Sequence, residues 1–261
     1  MTREISTPGD EDELALMEIR LERLRSIYDR WIRWNYQRIL RSAQSELTAL
    51  DHVPDEMEVA GILAHYDSRQ RAVLSQAYRE IFPLAGDIVA PSGRKSVRVQ
   101  RKAEEELDPK LEEWLLMHLG TRITDIDTVT LHRVQQLLMT SPDLPTFRKG
   151  LVKIFSDTPY RATVIARTET TTASNTAMQI TASEHSFGRP VTKTWETRMT
   201  ATVRDSHRKM QGVTIPMEEP FHVPRKDGGY DLMMYPGDYS MGASAENTVN
   251  CRCWCTYSYA D

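Results

Sequence analysis

The chain has 261 residues, of which 40% are apolar and 27% charged, and its formal net charge is -4. A mean hydropathy of -0.50, with no apolar run approaching ~18 residues, excludes a membrane-spanning helix, and the mild negative charge excludes a general attraction to DNA or acidic lipid. Three cysteines crowded together as Cys251, Cys253 and Cys255 do not make a disulfide framework, and the first residues lack the apolar core of a secretory signal, so a reducing compartment is expected.

Residues 1–12 form an acidic lead containing Pro8 and Gly9. From Glu13 onward, Leu14, Met17, Leu21, Leu24, Tyr28, Trp31, Ile32 and Ile39 recur three or four apart, which predicts an amphipathic helix of about 30 residues. Arg20, Arg23, Arg25, Arg30, Arg33, Arg38 and Arg41 mark its other face. With Trp31, Trp34 and Tyr36 between, that stripe suits contact with nucleic acid, but with Glu18 and Glu22 interleaved it reads first as a solvated face paired along the helix. A second helix is expected over Asp55–Phe82, then a loop from Pro83 to Gly93, since that stretch holds two prolines and two glycines. Lys95–Arg101 is basic and fits either a short strand or an extended arm.

Glu104–Met117 reads as a helix stopped at Gly120, and Thr128–Met139 as a separate helix capped by Asp125 or Thr128. Thr146–Phe155 and Pro159–Glu184 follow as two more. The last of these carries four threonines between Thr168 and Thr172. Threonine is a poor helix former, so hydroxyl contacts or a site must favour this run. Beyond Gly188 the pattern changes to strands at Val191–Trp195, Gly212–Pro216, Phe221–Pro224, Tyr230–Tyr235 and Asn250–Tyr259, with a hairpin turn at Asp227-Gly-Gly. The expected fold is α+β: a long-helical N-terminal region over residues 1–150, then a small C-terminal α+β domain with short antiparallel strands over 151–261.

Three chemistries suit the polar residues of the C-terminal part. Cys251, Cys253 and His207, with His222 or Asp238 as a fourth donor, form a candidate zinc set, because residues two apart on a strand face the same way. Arg167, Glu169, Asp205 and His207 suit an acid–base site, giving an enzyme as the alternative class. The simpler expectation is a buried network of Arg167, Thr168, Glu169, Asn175, Asp205, His207, Asn250 and Arg252 that ties the long helix to the small sheet. Separately, Arg94, Lys95, Arg98, Arg101 and Lys102 contain no intervening acid and suit non-specific contact with phosphate.

The ordered series Arg161-Ala-x-x-Ile-Ala-Arg-Thr-Glu-Thr170, Ala173, Asn175, Lys193-x-Trp195, Arg204-Asp-Ser-His207, Gly212, Pro216, Pro236-Gly-Asp238, Ala243-x-Ala-Glu246 and Asn250-Cys-Arg-Cys253 resembles the phage Mu F-like head morphogenesis domain of minor capsid proteins. The resemblance covers about residues 145–257, and the chain adds Trp254 and Cys255 to it. It implies a virion protein rather than an enzyme, lodged inside the capsid near the portal after assembly in the host cytoplasm. It also implies a role in head assembly, genome packaging or DNA ejection. The implied partners are the portal protein, the major capsid or scaffolding protein, and genomic DNA without sequence preference. The long N-terminal helix is the expected attachment element.

Overall fold

The computed structural model describes residues 8–90 and 109–260. In chain order the elements are α1 (Pro8–Ala49), α2 (Glu56–Val89), α3 (Pro109–Thr140), α4 (Leu144–Phe155), α5 (Thr158–Glu184), β1 (Val191–Glu196), α6 (Asp205–Arg208), β2 (Thr214–Pro216), β3 (Phe221–Pro224), β4 (Tyr230–Met233), α7 (Ala245–Thr248) and β5 (Trp254–Tyr259). Long helices followed by short antiparallel strands give the α+β class expected. Among the described residues no helix is long and apolar enough to cross a membrane.

Three helices exceed their expected limits. α1 begins at Pro8, not Glu13, and runs for 42 residues; proline is tolerated in a first helical turn, where its missing N–H has no partner to lose. α2 continues through Pro83 to Val89 where a loop was expected. Pro83 lies on the exposed side, while Ile81, Phe82 and Ala85 are buried on the other; that apolar burial outweighs one lost backbone hydrogen bond. Gly120 does not stop α3, which is one helix from Pro109 to Thr140, so Asp125 and Thr128 fall mid-helix rather than at a helix start. A helical glycine costs only ~1 kcal/mol relative to alanine.

The chain forms two compact units, each built from separate segments. One holds the described residues of Met1–Asp29, Arg79–Arg101 and Arg167–Asp261; the other holds those of Arg30–Tyr78 and Lys102–Ala166. The boundary expected near residue 150 falls inside α4, within the second unit. That unit is helical. Its core joins Ile39, Leu40 and Leu47 to Val59, Leu63, Val134, Phe147, Leu151 and Phe155, and Asp143 caps α4 by accepting from the Thr146 N–H at 2.8 Å.

The first unit contains both sheets. β1 is central in the order β2-β1-β5, with Trp195 opposite Cys255, and β3 pairs with β4 as a hairpin, Phe221 opposite Met233. The predicted Asp-Gly-Gly turn is in place: Asp227 accepts from the Gly229 N–H, and Gly228 has φ +88°. Trp195, Met210, Phe221, Val223, Met233 and Cys255 belong to one core. In the same unit α2 and α5 touch closely at Gly86, where a Cβ would meet Thr181 Oγ1 at 2.5 Å.

Candidate functional site

The threonine run of α5 is explained by what its hydroxyls hold. On a helix, residues 168, 171, 172 and 175 share one face. Thr168 Oγ1 accepts from the Asn250 N–H at 2.9 Å, and Thr171 donates to the Cys251 carbonyl at 2.7 Å. Thr172 donates to the Gly237 carbonyl at 3.0 Å. Asn175 Nδ2 donates to the carbonyls of Pro236 and Cys253 at 2.6 and 3.0 Å. One turn on, Thr176 donates to the Tyr235 hydroxyl at 2.9 Å. This face of α5 therefore grips the backbone of two irregular loops, 235–238 and 250–253, which have no ladder to satisfy their polar groups.

The cation at the centre is Arg25 of α1. Its side chain is fully buried, and its Nε donates to Ser174 Oγ at 3.0 Å. Nη1 donates to the Arg252 carbonyl at 3.0 Å, and Nη2 to Asn175 Oδ1 at 3.1 Å and to the Cys253 carbonyl at 3.4 Å. Burial lowers its pKa to about 10, with the neighbouring Arg252 acting the same way. Arg252 is held off by Asp29 at 2.8 Å and Glu22 at 3.8 Å. The α1 acids thus do more than pair along their own helix: Arg198 also reaches Glu18 and Glu22, at 3.0 and 3.1 Å.

Against the pinned loop lies a cluster of His207, Cys251 and Cys253, all buried. His207 Nδ1 is 3.6 Å from Cys251 Sγ and 3.5 Å from Cys253 Sγ. The Trp195 indole meets the His207 ring edge to face, with centroids 5.3 Å apart. A hydrogen bond from Cys253 and the nearby His207 hold the Cys251 thiol well below its ordinary pKa, against the effect of burial. The same bond, with burial, pushes Cys253 up. The backbone N–H of Cys253 also points at Cys251 Sγ, at 3.4 Å. Nearby, Lys193 is buried, donates to the Met234 carbonyl at 2.8 Å and lies over Phe221; burial lowers its pKa to about 8.

Several expected residues are placed differently. Arg167 and Asp205 are exposed, so neither serves a buried network. Position 167 lies about 100° around the helix from Thr168, off the gripping face, and Asp205 opens α6 at the surface. Thr168, Glu169, Asn175 and His207 are buried. Asn250 contributes its backbone, at φ +56°, while its side chain is exposed. Arg252 contributes its carbonyl and an ion pair. Residues 250–253 precede β5 and are not part of a strand, so strand alternation is not what brings Cys251 and Cys253 together. Neither expected fourth donor joins the cluster. His222 is exposed, and Asp238 uses both oxygens on the backbone N–H groups of Met234 and Ser240. Arg94, Lys95, Arg98, Arg101 and Lys102 lie outside the described residues.

Two participants escaped the sequence reading. Arg25 was counted in the basic stripe, although it stands among Leu21, Leu24 and Tyr28 on the buried face; an arginine in phase with core positions was the available signal. Asn247 is also buried. It accepts from Ser206 and donates to the Pro224 carbonyl and Asp231, joining α6, α7 and the hairpin. No local pattern marks it.

No curated protein and no solved structure matches the chain. Residues 131–256 match the family model described as Phage Mu protein F like protein. The match spans α4, α5, β1 to β4, the first half of β5 and the His–Cys cluster, but not Arg25. Over those residues, just under half of the chain, the protein is similar to the Phage Mu protein F-like family.

Proposed function

We propose that the chain is a minor head protein that attaches to the portal inside the capsid and acts structurally in head assembly, genome packaging or DNA ejection. The family supports the head; the exposed apolar face of α1 carries the attachment. Leu16, Ile19 and Ile27 are 48%, 65% and 47% exposed and lie within about 80° on one side of the helix. The opposite side, with Leu21, Leu24, Arg25 and Tyr28, is buried. An apolar helix face of this kind suits a partner's groove, as each aliphatic side chain fully covered contributes roughly 1.5–3 kcal/mol. A structural rather than catalytic role is supported by the separation of the acid–base set, with Arg167 and Asp205 exposed and Glu169 and His207 buried.

The test is co-sedimentation of the full chain with portal rings of its phage. Replacing Leu16, Ile19 and Ile27 together by serine is expected to weaken binding at least tenfold, about 1.4 kcal/mol, with the unfolding midpoint unchanged. Undiminished binding by that variant, or no binding by the parent chain, refutes the reading. Deleting residues 1–50 is not an equivalent test, because it also removes Arg25 from the site.

A further inference from the structure

We propose that His207, Cys251 and Cys253 bind one zinc ion through Nδ1 and the two Sγ atoms. A tetrahedral zinc with Zn–S of about 2.3 Å and Zn–N of about 2.0 Å holds nitrogen and sulfur roughly 3.5 Å apart. The His207 Nδ1 to sulfur separations are 3.6 and 3.5 Å, and all three donor atoms lie within 4.8 Å of one another. Little movement is therefore needed to admit the ion.

Three further features fit a metal better than a plain apolar core. The loop that presents both thiols is fixed at successive backbone groups by Thr168, Thr171, Arg25 and Asn175, which sets donor positions before binding. The Cys253 N–H directed at Cys251 Sγ stabilises a thiolate. Charge also balances. Zinc with two thiolates and a neutral imidazole is electroneutral, so enclosure by Trp195, Phe221 and Met233 carries no net-charge penalty. Binding forms one Zn–N and two Zn–S bonds. Each thiol still protonated gives its proton to the buffer, and no electrons are transferred. Among the described residues no fourth His, Cys, Asp or Glu joins the group. The ion would lock α6 to the 250–253 loop.

The experiment uses the full chain, folded and reduced, titrated with cobalt(II) as the spectroscopic substitute and then with zinc. One equivalent of cobalt is expected to produce a sulfur-to-cobalt charge-transfer band and the intense visible bands of a tetrahedral site, and zinc to abolish both. Cys251→Ser, Cys253→Ser and His207→Asn are expected to lose the signal, and Cys255→Ser to keep it. A folded parent chain that shows no such bands and takes up no stoichiometric zinc by native mass spectrometry overturns the proposal. So does an unchanged spectrum in the Cys251→Ser/Cys253→Ser double variant. Should those variants fail to fold, the parent titration and the Cys255→Ser control decide the matter between them.

Discussion

Replacing Arg25 by methionine tests the organisation of the site at its centre. The substitution keeps an unbranched apolar stem and removes four hydrogen bonds. Two acceptors then lose a partner that nothing nearby replaces: the Arg252 carbonyl and Asn175 Oδ1. The Cys253 carbonyl keeps its bond from Asn175, and Ser174 still donates to the Thr171 carbonyl. Each bare buried acceptor costs about 1–3 kcal/mol. Two give roughly 2–6 kcal/mol, partly offset because a guanidinium no longer has to be desolvated. Removing one member of a buried charged network typically costs about 3–5 kcal/mol, a large share of the ~5–15 kcal/mol that stabilises a domain. The assay is urea denaturation followed by tryptophan fluorescence, with hydrogen exchange of the Asn250 and Cys253 amides as the local readout. Arg23→Met, on the exposed face, is the control and is expected within ~0.5 kcal/mol of the parent. Arg25→Lys should fall between the two, since an ammonium cannot reproduce the planar fork. An Arg25→Met variant as stable as the control, with unchanged exchange at 250–253, would refute this reasoning.

Other perturbations follow from the same contacts. Asn175→Leu leaves the Pro236 carbonyl without its amide partner and should destabilise by roughly 2–4 kcal/mol, measured by the same denaturation. Gly237 has φ +86°, and a Cβ there would meet Thr172 Oγ1 at 3.2 Å, whereas Gly228, at φ +88°, faces open space. Gly237→Ala should therefore cost more than the ~1–2 kcal/mol of left-handed backbone strain expected for Gly228→Ala; equal losses would remove the packing argument. Burial lowers the Lys193 ammonium to a folded pKa of about 8 from its ordinary 10.5. Between those values the unfolded chain holds more protons, so this group makes stability rise with pH across that window, by at most about 3 kcal/mol. Lys193→Met should flatten the rise between pH 8 and 10, and an identical slope in parent and variant would contradict the assignment.

Periodicity exposed the helices and alternation the strands because each reflects which side of an element meets the core. It failed where local signals compete with burial. Pro83 and Gly120 look like breaks, yet neither outweighs the helix that contains it. The site was half legible. Thr168, Asn175, His207, Cys251 and Cys253 stood out as residue types out of place, and the structure brings them to one loop. Arg167, expected at the core of the network with Glu169 or Asp205, is exposed; the cation that fills that place, Arg25, comes from 150 positions before Asn175. Nothing short of tertiary structure pairs residues that far apart. Strand alternation was also the wrong reason for expecting the two thiols together. They converge because side chains from α1 and α5 hold an irregular loop.

An unsymmetrised cryo-EM reconstruction of the portal vertex in filled heads tests the functional account most directly. The account predicts density for this chain on the inner side of the portal, with Leu16, Ile19 and Ile27 of α1 against the portal surface. Density confined to the capsid shell or to the outside of the head, with none at the inner portal face, would contradict it.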